Sequence, residues 1–459
     1  MTRLAIRFMV LFKMQPIQPR EGGIREKPGF VGTSLALLNE LGPGGRVAHP
    51  LMAAEAVSKK AHKQDTKHTR HDRVWFDPPP LEYYRGILTL KTTETGLEKV
   101  TDCDTYKGPA MIDMKWAKVR TRAFWFMPDG TKQHLPEKVK GAQKGPVILY
   151  FHGGAGVTFS AADIFMGVTL AGNLARSSKI PVFSVDYYLA PFAPYPVPII
   201  QALGAYLHLT KELGYRPDQI IVGGDSFGAH LTLGLERFLR LEGPKIDPES
   251  QSSYFAAILL ISPWMSAVHA HYLSRPNNLK YDIITLGFAD WGIDAMQVGP
   301  KYEKRCGLSL VDPWLSPINR REEEIKTMAP MYVVNGQLEA LIDEGVEFVE
   351  KARSAGADVT HHIEVSRNRR LREEMEADIH CFSCSHSLFM TLSHFQQLYQ
   401  KVEGCLEGLV IGHERSSIPV PTVFKDVAAF CSATMQCIEN HSDSYACMRN
   451  ANNNDDDVQ

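Results

Sequence analysis

A serine between two glycines, in Gly224-Asp225-Ser226-Phe227-Gly228, follows the β-branched run Ile220-Ile221-Val222 and precedes an amphipathic helical pattern from Leu231 to Leu241. A strand that turns sharply into a helix at this serine leaves its hydroxyl pointing outward, where it can attack a carbonyl carbon. The two glycines have a steric reason, since a side chain at either position would meet the facing backbone as strand packs on helix. The bare pentapeptide also occurs as a plain turn, and it is the strand before and the helix after that mark a nucleophile elbow.

Acyl transfer to a serine needs donors for the oxyanion that develops. The continuous apolar strand Pro146-Val147-Ile148-Leu149-Tyr150-Phe151 runs directly into His152-Gly153-Gly154-Ala155-Gly156. Glycines there let backbone N–H groups turn toward a common point, which makes an oxyanion hole from main chain alone. The rival reading is a dinucleotide-binding turn, but the third glycine of that fingerprint is missing and position 160 is a serine.

The elements that must position these groups alternate along the chain. Buried strands are expected at 180–186, 220–222 and 256–264, with a helical stretch at 199–213, then a strand at 331–335, a helix at 343–355 ended by Gly356, and a strand at 359–365. Strands alternating with helices of this length predict a mostly parallel sheet of the doubly wound α/β class, beginning near Tyr84. Residues 265–328 are longer and less periodic than a simple crossover and are expected to contribute a cap. Arg367 to Glu376 is a dense charge run with no apolar face, and 387–406 has the spacing of a closing helix. The expected organisation is an N-terminal extension over 1–79, a sheet domain over 80–407 with its cap or insertion near 265–328, and a C-terminal tail over 408–459 that ends in an Asn/Asp run unable to bury anything.

The chain of 459 residues is 44% hydrophobic and 22% charged, as expected of a globular protein with ample core-forming side chains. A formal net charge of -2 gives no electrostatic footprint for nucleic acid and favours a small, uncharged partner. Eight cysteines at irregular spacing do not describe a disulfide framework, which suits an intracellular location. The first 30 residues are basic around the apolar run Phe8-Met9-Val10-Leu11-Phe12, far short of the roughly 20 residues a spanning helix needs. A transit peptide, a membrane-surface helix, a lid helix and a frayed terminus all fit that segment. His62, His68 and His71 lack acidic or cysteine partners at metal spacing, so no metal is assigned, and no cofactor is expected.

Four motifs in order resemble the hormone-sensitive-lipase-like branch of the α/β-hydrolases. His152-Gly153-Gly154-Ala155 is similar to its His-Gly-Gly-Gly, and Asp186-Tyr187-Tyr188-Leu189-Ala190-Pro191 to its Asp-Tyr-Arg-Leu-Ala-Pro. Gly224-Asp225-Ser226-Phe227-Gly228 resembles its Gly-Asp-Ser-Ala-Gly, and Asp312-Pro313-Trp314-Leu315-Ser316-Pro317 also matches. The similarity covers roughly residues 80 to 405. It implies an α/β-hydrolase fold with a helical cap and carboxylic ester hydrolysis without a cofactor. The stretch Glu339-Ala340-Leu341-Ile342-Asp343-Glu344 resembles that of deacetylases acting on sterol or secondary-metabolite esters.

In that framework Ser226 is the nucleophile, and the N–H groups of Gly153, Gly154 or Ala155, with that of Phe227, are the oxyanion donors. His152 reads as a group that fixes its loop. Ala155, where a third glycine is usual, restricts the backbone angles of that loop. The general base is expected at His380, past the last strand, with His386 as the nearest rival; His361 and His362 lie inside a strand. A zinc site drawn from His380, Cys381, Cys384 and His386 would crowd four ligands into seven residues. For the orienting acid, the family's Asp-Pro-Leu-x-Asp-Glu aligns Glu339 with the catalytic aspartate, three residues beyond Gly336. Asp343 then reads as the N-cap of the next helix, with Glu344 behind it. The expected function is a Ser-His-Glu ester hydrolase for small to medium uncharged substrates. A receptor that keeps the pocket and has lost catalysis is the alternative, as the resemblance to plant hormone receptors of this branch allows.

Overall fold

The computed structural model describes residues 71–91, 112–128, 145–157, 159–161, 170–190, 193–247, 254–268, 289, 292, 293, 296, 307–337 and 339–364. Eight strands form one sheet: β1 (His71–Phe76), β2 (Thr121–Phe126), β3 (Val147–Phe151), β4 (Val182–Asp186), β5 (Ile220–Asp225), β6 (Ala257–Ile261), β7 (Met331–Gly336) and β8 (Val359–Glu364). Their order across the sheet is β1-β2-β4-β3-β5-β6-β7-β8. The pairs β1/β2 and β2/β4 are antiparallel, and every pair from β4 to β8 is parallel.

The apolar runs have a simple cause. Along β3, Val147, Leu149 and Phe151 face one hydrophobic core while Ile148 and Tyr150 face a second on the opposite side, so each successive position needs an apolar side chain. The described helices are α1 (Gly172–Ser178), α2 (Val197–Leu207), α3 (Phe227–Ile246), α4 (Glu322–Lys326) and α5 (Ile342–Ser354). Leu174 and Ala175 of α1 join the second core. Ile199 and Leu203 of α2, Leu231 and Phe238 of α3, and Phe348 of α5 fill the first.

Two expectations are corrected. The sheet begins at His71 rather than near Tyr84, so the boundary at 80 cuts through the sheet domain. β1 alternates exposed Arg73 and Trp75 with half-buried Val74 and buried Phe76, the pattern of an antiparallel edge strand, and its polar half hides it in a His- and Lys-rich run. Asp343 is not an N-cap: α5 starts at Ile342, Leu341 occupies the cap position, and Asp343 lies in the first turn. The N-terminal segment 1–70, the charge run 367–376, the closing helix 387–406, the C-terminal tail and most of the expected cap lie outside the described residues.

Candidate active site

Because β3 through β8 run parallel, the loops after them emerge on one edge of the sheet. The groups singled out in the sequence gather there. Ser226 joins the C-terminal end of β5 to α3 with φ 52° and ψ -117°, a backbone conformation that turns the strand sharply into the helix. Its N–H donates to the Ile261 carbonyl at 2.9 Å, and its carbonyl accepts from Trp264 N–H at 3.2 Å, so the turn is braced against the end of β6. The steric argument for the flanking glycines holds in detail. A Cβ on Gly228 would lie 1.9 Å from the Phe151 carbonyl oxygen, and one on Gly224 would lie 2.4 Å from the Gly228 carbonyl carbon.

The loop after β3 carries three successive residues at positive φ: Gly154 at 109°, Ala155 at 53° and Gly156 at 68°. Ala155 therefore takes up the left-handed conformation that the family's glycine would hold without strain, at a cost of about 1 kcal/mol. Gly153 departs from the expected oxyanion set. Its N–H donates to Asp225 Oδ1 at 3.0 Å and is thereby committed within the fold. Asp225 also accepts the Tyr150 hydroxyl at 2.8 Å and is buried; burial pushes its carboxyl up to about 7 against the pull of those two donors.

His152 fixes the loop. Its Nδ1 lies 2.8 Å from the Gly153 carbonyl oxygen, which can only accept, so Nδ1 carries the proton. The ring stacks on Tyr187 at 4.3 Å, and the Tyr187 hydroxyl donates to the His152 carbonyl at 2.6 Å. Burial lowers the imidazole's affinity for a second proton. The Asp-Tyr-Tyr-Leu-Ala-Pro stretch thus has a structural meaning: Asp186 accepts the Ser160 hydroxyl at 2.7 Å and Ala161 N–H at 3.0 Å, and Ala190 N–H donates to the Gly156 carbonyl at 2.7 Å.

Of the three acids that follow β7, Glu339 stands at the sheet edge. It is buried, and its Oε2 accepts the Ser262 hydroxyl at 2.6 Å and Gly336 N–H at 2.8 Å, while Oε1 accepts the Asn335 amide. β6 alone separates β7 from β5, so the loops carrying Glu339 and Ser226 lie two strands apart on the same edge. Glu344 points elsewhere: its Oε1 accepts Met265 N–H at 2.8 Å, and burial raises its carboxyl well above the ordinary range. His361 and His362 lie in β8, as their strand pattern indicates. His380 and His386 lie outside the described residues. Ser262 and Asn335 went unnoticed in the sequence, although a serine directly after an apolar strand and an asparagine ending one are the available signals.

A strand-turn-helix serine at the C-terminal edge of a mostly parallel sheet, with a glycine-rich loop on the same edge, has the architecture of the α/β-hydrolase fold. Comparison with known proteins agrees. Residues 148–366 match the family model described as the alpha/beta hydrolase fold. An esterase of Acinetobacter venetianus is 32% identical over 230 residues, 50% of this chain and 68% of that protein. The carboxylic ester hydrolase LipN of Mycobacterium tuberculosis is 24% identical over 223 residues, 48% of this chain and 55% of its own length. Among solved structures, EstE1, a thermophilic and thermostable carboxylesterase cloned from a metagenomic library, shares the fold. It covers 84% of this chain and 97% of its own, with a TM-score of 0.51 at 18% identity. The chain belongs to the α/β-hydrolase family, in its hormone-sensitive-lipase-like branch of carboxylic ester hydrolases.

Proposed function

We propose that the protein hydrolyses carboxylic esters of small to medium, uncharged substrates through an acyl-enzyme on Ser226, with Glu339 orienting His380 as general base. The observation that carries this reading is the strained backbone of Ser226, which has a structural purpose only if the hydroxyl must stand clear of the turn. Ser226 Oγ attacks the ester carbonyl carbon as the histidine takes its proton. The carbonyl oxygen becomes an oxyanion within reach of the N–H groups of Gly154, Ala155 and Phe227. Collapse expels the alcohol, which takes the proton from the histidine, and water then releases the acid by the same steps in reverse roles. The aromatic rings packed around the elbow, Phe227 with Tyr187 at 5.9 Å and with Trp264 at 6.0 Å, give the turn an apolar setting that suits an uncharged ester.

Hydrolysis of p-nitrophenyl esters of graded acyl length tests the reading. Acetate to hexanoate should turn over faster than long-chain emulsions, Ser226→Ala should abolish turnover, and EDTA should leave it unchanged. Saturable binding of such esters without turnover would mark the ligand-binding receptor instead.

A further inference from the structure

Around Glu339 the ends of two strands, β6 and β7, converge on one carboxylate, and β8 reaches it through Asn335. Ser262 follows β6 with φ 43°, a left-handed conformation unusual for a serine, and its buried hydroxyl donates to Glu339 Oε2 at 2.6 Å. Asn335, fully buried within β7, donates from Nδ2 to Oε1. His361 on β8 has its Nε2 2.9 Å from Asn335 Oδ1. The proton positions follow from chemistry alone. A carboxylate can only accept, so Asn335 must present its NH2 group to Glu339; its Oδ1 then faces His361, which must donate from Nε2. Gly345 of α5 leaves the space for this amide, since a Cβ there would lie 2.4 Å from Asn335 Oδ1.

We propose that Ser262 and Asn335 are positioning residues for the catalytic carboxylate, with His361 locking the Asn335 amide; this rests on the reading of Glu339 as the triad acid. Neither residue touches substrate in this role. They fix the rotamer of a side chain one methylene longer than the family's aspartate, which has one more torsion to lose before it can orient a histidine.

The test is a double-mutant cycle on the full chain with p-nitrophenyl butyrate. Ser262→Ala should lower kcat by about 10- to 100-fold with KM within about twofold. Added to Glu339→Gln, it should cost less than about a further twofold, because the group it acts through is already disabled. Equal losses in both backgrounds, or a rise in KM at unchanged kcat, would overturn the proposal. Should Ser262→Ala lose its native circular dichroism, Asn335→Leu, which removes the amide donor without adding a charge, enters the same cycle with the same outcomes. A Glu339→Gln protein with full turnover would remove the acid assignment and this proposal with it, whereas an inactive Glu339→Gln beside a fully active Ser262→Ala would overturn the positioning role alone.

Discussion

Neighbouring acids in this site are held in opposite ways, and substitution can tell them apart. Glu339 receives a hydroxyl, an amide and a backbone N–H, whereas Asp343 sits half-exposed in the first turn of α5. Glu339→Gln should therefore cut kcat by about 10³- to 10⁴-fold while the protein stays folded. Asp343→Asn should change kcat by less than about twofold and cost under about 1 kcal/mol, the size of a first-turn helix-dipole contribution, as read from urea midpoints. The opposite ranking would make Asp343 the acid. Asp225, beside the nucleophile, gives a pH-dependent stability with a definite sign. Its folded-state pKa is raised by burial from 3.8 to about 7, so the folded chain binds this proton more tightly than the unfolded one. Its stabilising contribution is complete below about pH 4 and is lost as pH rises to about 7, by up to about 4 kcal/mol at about 1.4 kcal/mol per unit. Uncharged Asp225→Asn escapes that loss. Relative to the parent its unfolding midpoint should match at pH 4 and be higher at pH 8; a lower midpoint at pH 8 would show that the charged form is welcome there.

At the scale of elements, glycine spacing sets what the elbow tolerates. Gly228→Ala places a methyl 1.9 Å from the Phe151 carbonyl oxygen, a backbone atom that cannot swing away, so soluble folded protein should be lost even though alanine favours helix elsewhere by about 1 kcal/mol. Recovery of a normally folded Gly228→Ala protein would show that β3 and α3 can separate. The same elements show what was legible in the chain. β3 to β7 are near-continuous apolar runs because most of their residues are buried on both faces, and their ends fall within a few residues of the pattern, whereas β8 at the far edge mixes Val359 and Ile363 with polar residues. Ser226 was legible because its turn forces two glycines into sequence. β1 was not, since an edge strand with Arg73 and Trp75 facing solvent carries half the apolar signal. The use of Gly153 by Asp225 was also hidden: a backbone N–H has no sequence signature, and which acceptor it meets depends on two loops 72 residues apart. Ser262 and Asn335 escaped for a related reason, because their roles exist only where three non-adjacent segments meet.

At the scale of the molecule, the segment between β6 and β7 is tied back to the elbow helix through charge as well as through apolar packing. Arg320 is fully buried; its Nη1 donates to Glu236 Oε2 at 2.6 Å and its Nη2 to the Leu233 carbonyl, both on α3. Glu236 is shared with Arg240 of the same helix, and Arg237 pairs with Glu324 of α4 at 3.1 Å while lying 4.5 Å from the centre of the Trp314 ring. The segment reaches the other neighbours too: Ile318 N–H donates to the Met265 carbonyl at 3.1 Å, and Lys351 of α5 donates to the Ile318 carbonyl at 3.1 Å. Burial lowers the proton affinity of Arg320, and the Glu236 carboxylate opposes that shift. Glu236 lies ten residues beyond Ser226 on α3, about 15 Å along the helix, so the cluster can affect stability without entering the chemistry. Arg320→Met should cost about 3 to 5 kcal/mol, because it strips a buried carboxylate of a charged partner. Adding Glu236→Leu should recover part of that loss by removing the carboxylate that was left short of a partner. At a temperature where all three proteins are folded, kcat for a short p-nitrophenyl ester should agree within about twofold. An Arg320→Met protein that unfolds at the parent's urea midpoint would show that apolar contacts alone hold this segment; one that stays folded but loses turnover would show that the cluster reaches the elbow after all.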